Sequence, residues 1–187
     1  MIQCFIAKCN DIKLQRHYSK QLLRYSIKNV FKLEIEDEAI MRNQYGKPSF
    51  KNKEHIKFNI SHCNGLIACA VGLEEMGVDV ENIRSFDDYV VIRVCNMKEI
   101  NDIYSSHDSK RTFFTYWTMK ESLGKALGVG LHYPLRENEF IKNGDGYLCN
   151  YEGLKIKNYE IDNKFSLSIC TDKNQEIILK EVNLNGR

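Results

Sequence analysis

Gly77-Val78-Asp79-Val80-Glu81 alternates valines with non-valine residues, which is the period of a half-buried β-strand. Residues two apart on a strand face the same side. Val78 and Val80 therefore point into a core, and Asp79 and Glu81 present two carboxylates together on the other face. Two oxygen ligands from one strand suit Mg²⁺, which keeps several waters and takes few protein carboxylates. The same spacing also describes a surface strand with two solvated acids, and taken alone that is the commoner case.

Working outward, residues 87–103 read as a helix with Val90, Val91, Val94 and Met97 inward. Residues 110–127 carry the clearest helical pattern, with Phe113, Phe114, Trp117, Leu123 and Leu127 on its apolar side. Gly128 and Gly130 end it. Beyond residue 140, turn signals at Asn143-Gly144-Asp145-Gly146 and Asp162-Asn163 separate β-like runs at 147–151, 154–161, 165–170 and 176–182, an expected antiparallel meander. Before residue 77, residues 2–7 read as a strand. Residues 11–33 read as an amphipathic helix with Arg16, Lys20, Arg24 and Lys28 on a basic outer face. Asn43-Gln-Tyr-Gly-Lys-Pro48 is turn chemistry. Residues 56–61 alternate as a strand, Ser61-His62-Cys63-Asn64-Gly65 is expected to turn, and 66–71 is a buried strand or short helix. The expected class is α+β, with helices packed on antiparallel sheets.

Composition limits the functions open to the chain. It has 187 residues with 27 basic and 25 acidic side chains, a net charge of +2. That balance argues against a general nucleic-acid binder. Seven cysteines, an odd number with no CxxC pair, argue against a zinc site or disulfide framework and fit a reducing compartment. The opening Met-Ile-Gln-Cys-Phe-Ile-Ala-Lys lacks the pattern of a signal peptide. The apolar stretch 66–71 is too short to span a bilayer. A cytoplasmic protein that inserts in no membrane is expected.

Three further groups bear on chemistry. Trp117-Thr-Met-Lys120-Glu121-Ser-Leu-Gly-Lys125 puts Trp117, Lys120, Glu121 and Lys125 at helical offsets of three, four and eight, a broad charged face beside the lone tryptophan. It reads either as a pocket wall or as a surface i,i+4 ion pair. Asn59-Ile-Ser61-His62 ends a strand. Adjacent Ser and His rarely point at one another, so a hydrolytic pair is disfavoured and a phosphate grip is the functional alternative. Gly46-Lys47-Pro48 has no P-loop around it and otherwise reads as an exposed turn lysine.

In order, Tyr45-Gly-Lys-Pro, Phe58-Asn-Ile-Ser-His, Gly77-Val-Asp-Val-Glu and Trp117-Thr-Met-Lys-Glu-Ser-Leu-Gly-Lys-Ala-Leu-Gly-Val-Gly-Leu closely resemble the motifs of the 4′-phosphopantetheinyl transferase superfamily, in its larger, surfactin-synthetase-activating (Sfp) type. The resemblance implies a pseudo-dimer of two similar α+β halves, here 1–76 and 77–187, with coenzyme A as substrate in the cleft between them. It implies transfer of the phosphopantetheine arm to a serine of an acyl or peptidyl carrier protein by a monomeric enzyme. Asp79, Glu81 and Glu121 correspond to the acids that hold Mg²⁺ (or Mn²⁺), and Asp79, Glu121 and Lys125 to the catalytic set. Glu121 also matches the group that deprotonates the serine, and Lys125 the lysine on the transferring phosphate. Lys47, Ser61 and His62 match positions that hold the 3′-phosphate and its neighbours, and Lys120 is assigned to coenzyme contact with them. The chain is shorter than typical members at its N-terminal side, so Arg16, Ser19 and Lys20 are the expected substitutes for the family's adenine contacts. The competing readings are a Mg²⁺-dependent phosphohydrolase and a degenerate coenzyme A-binding module.

Overall fold

The computed structural model describes residues 1–35, 40–132 and 134–184. Among them the chain runs β1 (Ile2–Cys9), α1 (Gln15–Phe31), β2 (Ile40–Arg42), β3 (Pro48–Phe50), β4 (Lys57–Cys63), β5 (Gly65–Gly72), β6 (Met76–Asn82), α2 (Asp88–Val94), α3 (Met97–Ser105), α4 (Ser109–Leu127), β7 (Phe140–Asn143), β8 (Gly146–Cys149), β9 (Leu154–Ile161), β10 (Phe165–Asp172) and β11 (Ile177–Glu181). Two main sheets form, in the orders β11-β1-β5-β4 and β6-β10-β9-β8-β7, and β2 pairs with β3 as a small hairpin. The fold is α+β.

Strand periodicity assigns each face. Ile2, Cys4 and Ile6 of β1, Leu66, Ala68 and Ala70 of β5, Val78 and Val80 of β6, and Leu167 and Ile169 of β10 share one core. The two sheets therefore face each other. The alternate residues Phe5, Ala7, Ile67, Cys69 and Val71 pack outward against Leu22, Leu23 and Ile27 of α1. On the far side, Met119, Leu123 and Ala126 of α4 pack on Ile156 and Cys170. Each sheet thus carries a helix on its outer face.

Gly77 explains how closely α4 lies on β6. A Cβ there would collide with the Ser122 carbonyl and the Ala126 amide, and would stand 2.9 Å from Lys125 Cβ. Only a glycine lets the strand and helix backbones approach this far. At its other end α4 stops at Gly128, whose φ of +75° is left-handed and whose N–H bonds to the Gly124 and Lys125 carbonyls.

Five local expectations differ from the structure. The 87–103 segment is two helices, because Asn96 forms a reciprocal capping box with Glu99 and starts a new one. A side chain that satisfies free helix N–H groups favours initiation there. Met97, expected inward, is 73% exposed. Residues 61–63 do not turn, since β4 continues to Cys63 and the bend falls at Gly65, with φ +104°. The N-terminal helix begins at Gln15, after a 3-10 turn capped by Asp11. Finally, β11 is not part of the meander; it crosses to the other sheet and pairs parallel with β1, Ile2 opposite Ile177. No helix among the described residues is long and apolar enough to cross a membrane.

Candidate functional site

The site forms where β4 and β6, edge strands of the two sheets, run past each other beneath α4. No backbone ladder joins them. Instead, Asn59 Oδ1 accepts the Val78 N–H at 2.9 Å and Ser61 Oγ accepts the Val80 N–H at 3.2 Å. Between those amides stands Asp79, 5% exposed. Its Oδ1 accepts from the Ser61 hydroxyl at 2.9 Å and from Lys125 Nζ at 2.7 Å. Lys125 also donates to Ser61 Oγ at 3.0 Å and to the Val78 carbonyl at 3.1 Å. Asp79 Oδ2 is buried with no hydrogen-bond partner. A buried carboxylate oxygen without a partner is costly, and such atoms call for a ligand, ion or water.

Glu121 lies one helical turn before Lys125 on α4. Its carboxyl is pushed up to about 7, first by burial and then by the Asp79 charge, with Lys125 opposing and Glu81 adding to the rise. Asp79, Glu81 and Glu121 therefore share one electrostatic field with more negative charge than Lys125 offsets. Glu81 is half-buried and pairs with Arg84 at 2.9 Å. Among the described residues, no group of three or more His, Cys, Asp or Glu side chains already stands in a metal-holding arrangement. In this structure it is the Lys125 ammonium that lies against Asp79. The donor set is nonetheless one that fits a hard divalent cation: carboxylate oxygens only, surplus negative charge, and one oxygen unspent.

Lys125 also lines a cavity of about 420 Å³ with Arg16, Ser19 and Lys20 of α1, Arg42 of β2, Lys47, and His62 of β4. Six of these seven side chains carry basic nitrogens, and among the described residues no carboxylate lines the cavity. The Ser19 hydroxyl is buried without a partner. Lys47 reaches the C-terminus of α4, donating to the Ala126 carbonyl at 2.9 Å and pairing with Glu75 at 2.6 Å. Asn43 Nδ2 donates to the Gly128 carbonyl at 2.9 Å beside it. The β2–β3 hairpin is thereby tied to the helix that carries Glu121 and Lys125, and a cation there complements the helix dipole.

The structure thus gathers Arg16, Lys20, Lys47, His62 and Lys125 around one cavity and sets Asp79, Glu81 and Glu121 beside it. Ser61 lies beneath the cavity, 7% exposed, with its hydroxyl bonded inside the protein. Lys120 is elsewhere, which corrects its grouping with Glu121 and Lys125 on one face. It is 1% exposed, pairs with Glu99 at 2.9 Å and donates to the Leu135 carbonyl at 2.7 Å. Neighbouring helical residues point about 100° apart, so when Glu121 faces the cleft, Lys120 enters the core between α3 and α4. Trp117 packs near Phe113 and lines a separate cavity of about 310 Å³ whose rim includes Glu81 and Arg84. Arg42 was not anticipated; β2 is three residues long and carries no motif that singles it out.

The chain is similar in sequence to known proteins. The chain is 27% identical to 4′-phosphopantetheinyl transferase Sfp of Bacillus subtilis over 89% of its own length and 82% of that protein. It is 31% identical to 4′-phosphopantetheinyl transferase gsp of Aneurinibacillus migulanus over 65% of this chain and 52% of that one. The crystal structure of Thermotoga maritima holo-acyl-carrier-protein synthase overlays with a TM-score of 0.45 at 16% identity, covering 55% of this chain and 64% of that one. The family model of the 4′-phosphopantetheinyl transferase superfamily matches residues 75–180, more than half of the chain and all of β6 and α4, and the chain belongs to that superfamily, of the Sfp type.

Proposed function

We propose that this site transfers the 4′-phosphopantetheine arm of coenzyme A to a serine hydroxyl of an acyl or peptidyl carrier protein. The observation that carries the reading is the contact of Lys125 with both parts of the site: it lines the basic cavity and donates to Asp79 at 2.7 Å. The cavity suits the phosphates of the coenzyme, and the carboxylates suit the reacting end. The two flanking units, 1–76 and 77–187, act as the halves of a pseudo-dimer that meet at this cleft, with β11 of the second added to the sheet of the first. The protein works as a monomer in the cytoplasm, where its seven free thiols remain reduced.

In the reaction, the carrier serine oxygen attacks the phosphorus that bears pantetheine. A new P–O bond forms, the pyrophosphate P–O bond breaks, and adenosine 3′,5′-bisphosphate leaves. Phosphoryl transfer depends on alignment and charge neutralisation rather than covalent help. His62, Lys47 and Arg42 anchor the bisphosphate side, with Arg16, Ser19 and Lys20 at the nucleotide. Lys125 leaves Asp79 for the transferred phosphate and neutralises its oxygens. Glu121 receives the serine proton, directly or through water. Asp79, Glu81 and Glu121 would hold Mg²⁺ or Mn²⁺, which when bound neutralises pyrophosphate charge as a Lewis acid.

The test is to incubate the protein with coenzyme A, Mg²⁺ and unmodified fatty-acid, polyketide and peptide-synthetase carriers, and to follow each carrier by intact mass. Gain of the arm, with adenosine 3′,5′-bisphosphate released only when a carrier is present, supports the reading. Hydrolysis of coenzyme A without a carrier indicates a phosphohydrolase, and binding without transfer a degenerate module; either refutes it.

A further inference from the structure

We propose that Thr118, Asn158, Ser166 and Ser168 are positioning residues for the transfer reaction: together they fix the rotation of α4 about its axis, and with it Glu121 over the β6 acids. This rests on the transferase reading above. Most of the surface between α4 and its sheet is apolar, formed by Met119, Leu123, Ala126, Ile156 and Cys170. One polar cluster interrupts it. Thr118 of α4 and Ser166 and Ser168 of β10 are all buried. Thr118 Oγ1 lies 3.0 Å from Ser166 Oγ, 2.8 Å from Ser168 Oγ and 2.9 Å from the Phe114 carbonyl of its own helix. From β9, Asn158 Nδ2 reaches Ser166 Oγ at 2.9 Å and Ser168 Oγ at 3.0 Å. A hydroxyl has one proton and two lone pairs, and a side-chain amide nitrogen has two protons. One assignment satisfies every group: Asn158 donates to both serines, both serines donate to Thr118, and Thr118 donates to the Phe114 carbonyl. The cluster closes on itself and ties α4 to β9 and β10.

Its place bears on the site. Ser168 stands opposite Asp79 and Ser166 opposite Glu81 in the β10–β6 ladder, and residues paired across a ladder share one face of the sheet. The cluster therefore lies one strand spacing, about 4.8 Å, from the acids. On α4, Thr118, Glu121 and Lys125 follow at intervals of three and four, on one side of the helix. Gly77 lets the helix come down at Ser122, Lys125 and Ala126. The cluster holds it one turn earlier, and Glu121 falls between the two supports. Apolar contacts are non-directional and let a helix turn in its seat, whereas a hydrogen bond weakens steeply away from its preferred angle. Side-chain tips stand about 5–6 Å from a helix axis, so a turn of about 10° carries the Glu121 carboxylate sideways by about 1 Å. A displacement of that size near reacting groups is worth about 10²-fold in rate.

The test removes the cluster without stranding its members. In the triple variant Thr118→Val, Ser166→Ala, Ser168→Ala, both sides of each hydroxyl pair become apolar, which is nearly neutral for stability. Asn158, half-buried, keeps the Leu167 carbonyl at 3.3 Å. The readouts are the urea midpoint, kcat and KM for coenzyme A from carrier mass gain, and the emission of Trp117, the single tryptophan and the neighbour of Thr118. If the cluster positions α4, the midpoint stays near wild type, Trp117 emission shifts, and kcat falls by up to about 10²-fold. KM changes little, because among the basic residues lining the cavity only Lys125 belongs to α4. Thr118→Ser, which keeps the hydroxyl, retains wild-type kcat. Wild-type kcat in the triple variant overturns the proposal, whatever the emission does, and so does a loss of rate that only follows loss of folded protein. Where the triple variant does not fold, Ser168→Ala carries the comparison through its rate per folded molecule: a lower kcat at constant KM supports the proposal, and an unchanged rate overturns it. Absence of any transfer by wild type would sink the transferase reading and the positioning role with it, whereas wild-type transfer with an unimpaired triple variant would sink only the positioning role.

Discussion

Replacing Gly77 by alanine adds one methyl group at the closest approach of β6 and α4. The new Cβ would overlap the Ser122 carbonyl and the Ala126 amide and stand 2.9 Å from Lys125 Cβ. Ordinary carbon contacts are about 3.5–4.0 Å, and two of the three obstacles are helix backbone, which has no rotamer with which to yield. The strand and helix must separate by on the order of 1 Å or more to restore contact distance. Overpacking of this kind costs about 1–3 kcal/mol. At about 2–4 °C per kcal/mol for a domain near this size, the melting temperature should fall measurably. The catalytic consequence is larger. Asp79 sits two residues along β6 and is joined to Lys125 of α4 by a 2.7 Å bond, which such a separation carries out of hydrogen-bond range. A 1 Å misplacement near reacting groups is worth about 10²-fold in rate. The assay pairs urea denaturation with initial rates of carrier mass gain at saturating coenzyme A and Mg²⁺. A Gly77→Ala protein with wild-type stability and wild-type kcat would refute the claim that this contact sets the catalytic spacing.

Other perturbations separate the roles assigned above. Asp79→Ala should abolish Mg²⁺-dependent transfer, by more than the 10²–10⁴-fold typical of losing a general base, while coenzyme A affinity measured without metal changes little. Arg42→Ala should raise the KM for coenzyme A with little change in kcat, because Arg42 lines the basic cavity and is not among the carboxylates; a fall in kcat at constant KM would contradict that placement. Lys120→Met should destabilise the protein by about 3–5 kcal/mol, since it strands a buried partner, with transfer rates per folded molecule nearly unchanged. That loss should depend on pH. The Glu99 carboxyl already lies above its ordinary value, first because of burial, with Lys120 opposing the rise. Without Lys120 it rises further. A carboxyl raised in the folded state contributes its full stability below its unfolded pKa, about 4.3, and loses it as pH climbs through the folded value. Urea midpoints should therefore show a smaller Lys120→Met penalty at pH 5 than at pH 8, and a pH-independent penalty would count against the pairing.

What could be read without coordinates follows from the range of the forces involved. The alternation at Gly77–Glu81 is a local consequence of pleating, so the sequence shows that Val78 and Val80 face one way and Asp79 the other. The end of α4 at Gly128 is equally local. The partner of β11 is not: Ile177 carries no mark that sends it to Ile2, at the opposite end of the chain, and an isolated β-run reads the same in either sheet. The break between α2 and α3 was legible in principle, because Asn96 with Glu99 three residues on is a capping pattern. The valine spacing across 87–103 masks it by suggesting one continuous helix.

The site divides along the same line. Each acid and lysine could be nominated from its motif, but a helical motif does not say which flank meets the sheet. Lys120 and Glu121 are adjacent and both charged, yet Lys120 is 1% exposed against Glu99 while Glu121 faces Asp79. What separates them is the seat of α4 on β6, fixed by Gly77, whose missing side chain lets Ser122 and Ala126 reach the strand. With that contact on the Ser122–Ala126 flank, the cleft receives Glu121 and Lys125, one turn apart, and Lys120 is turned into the layer between α3 and α4. A glycine that contributes no functional group thus selects which charged residues of α4 reach the chemistry, and its role appears only when two backbones are placed together.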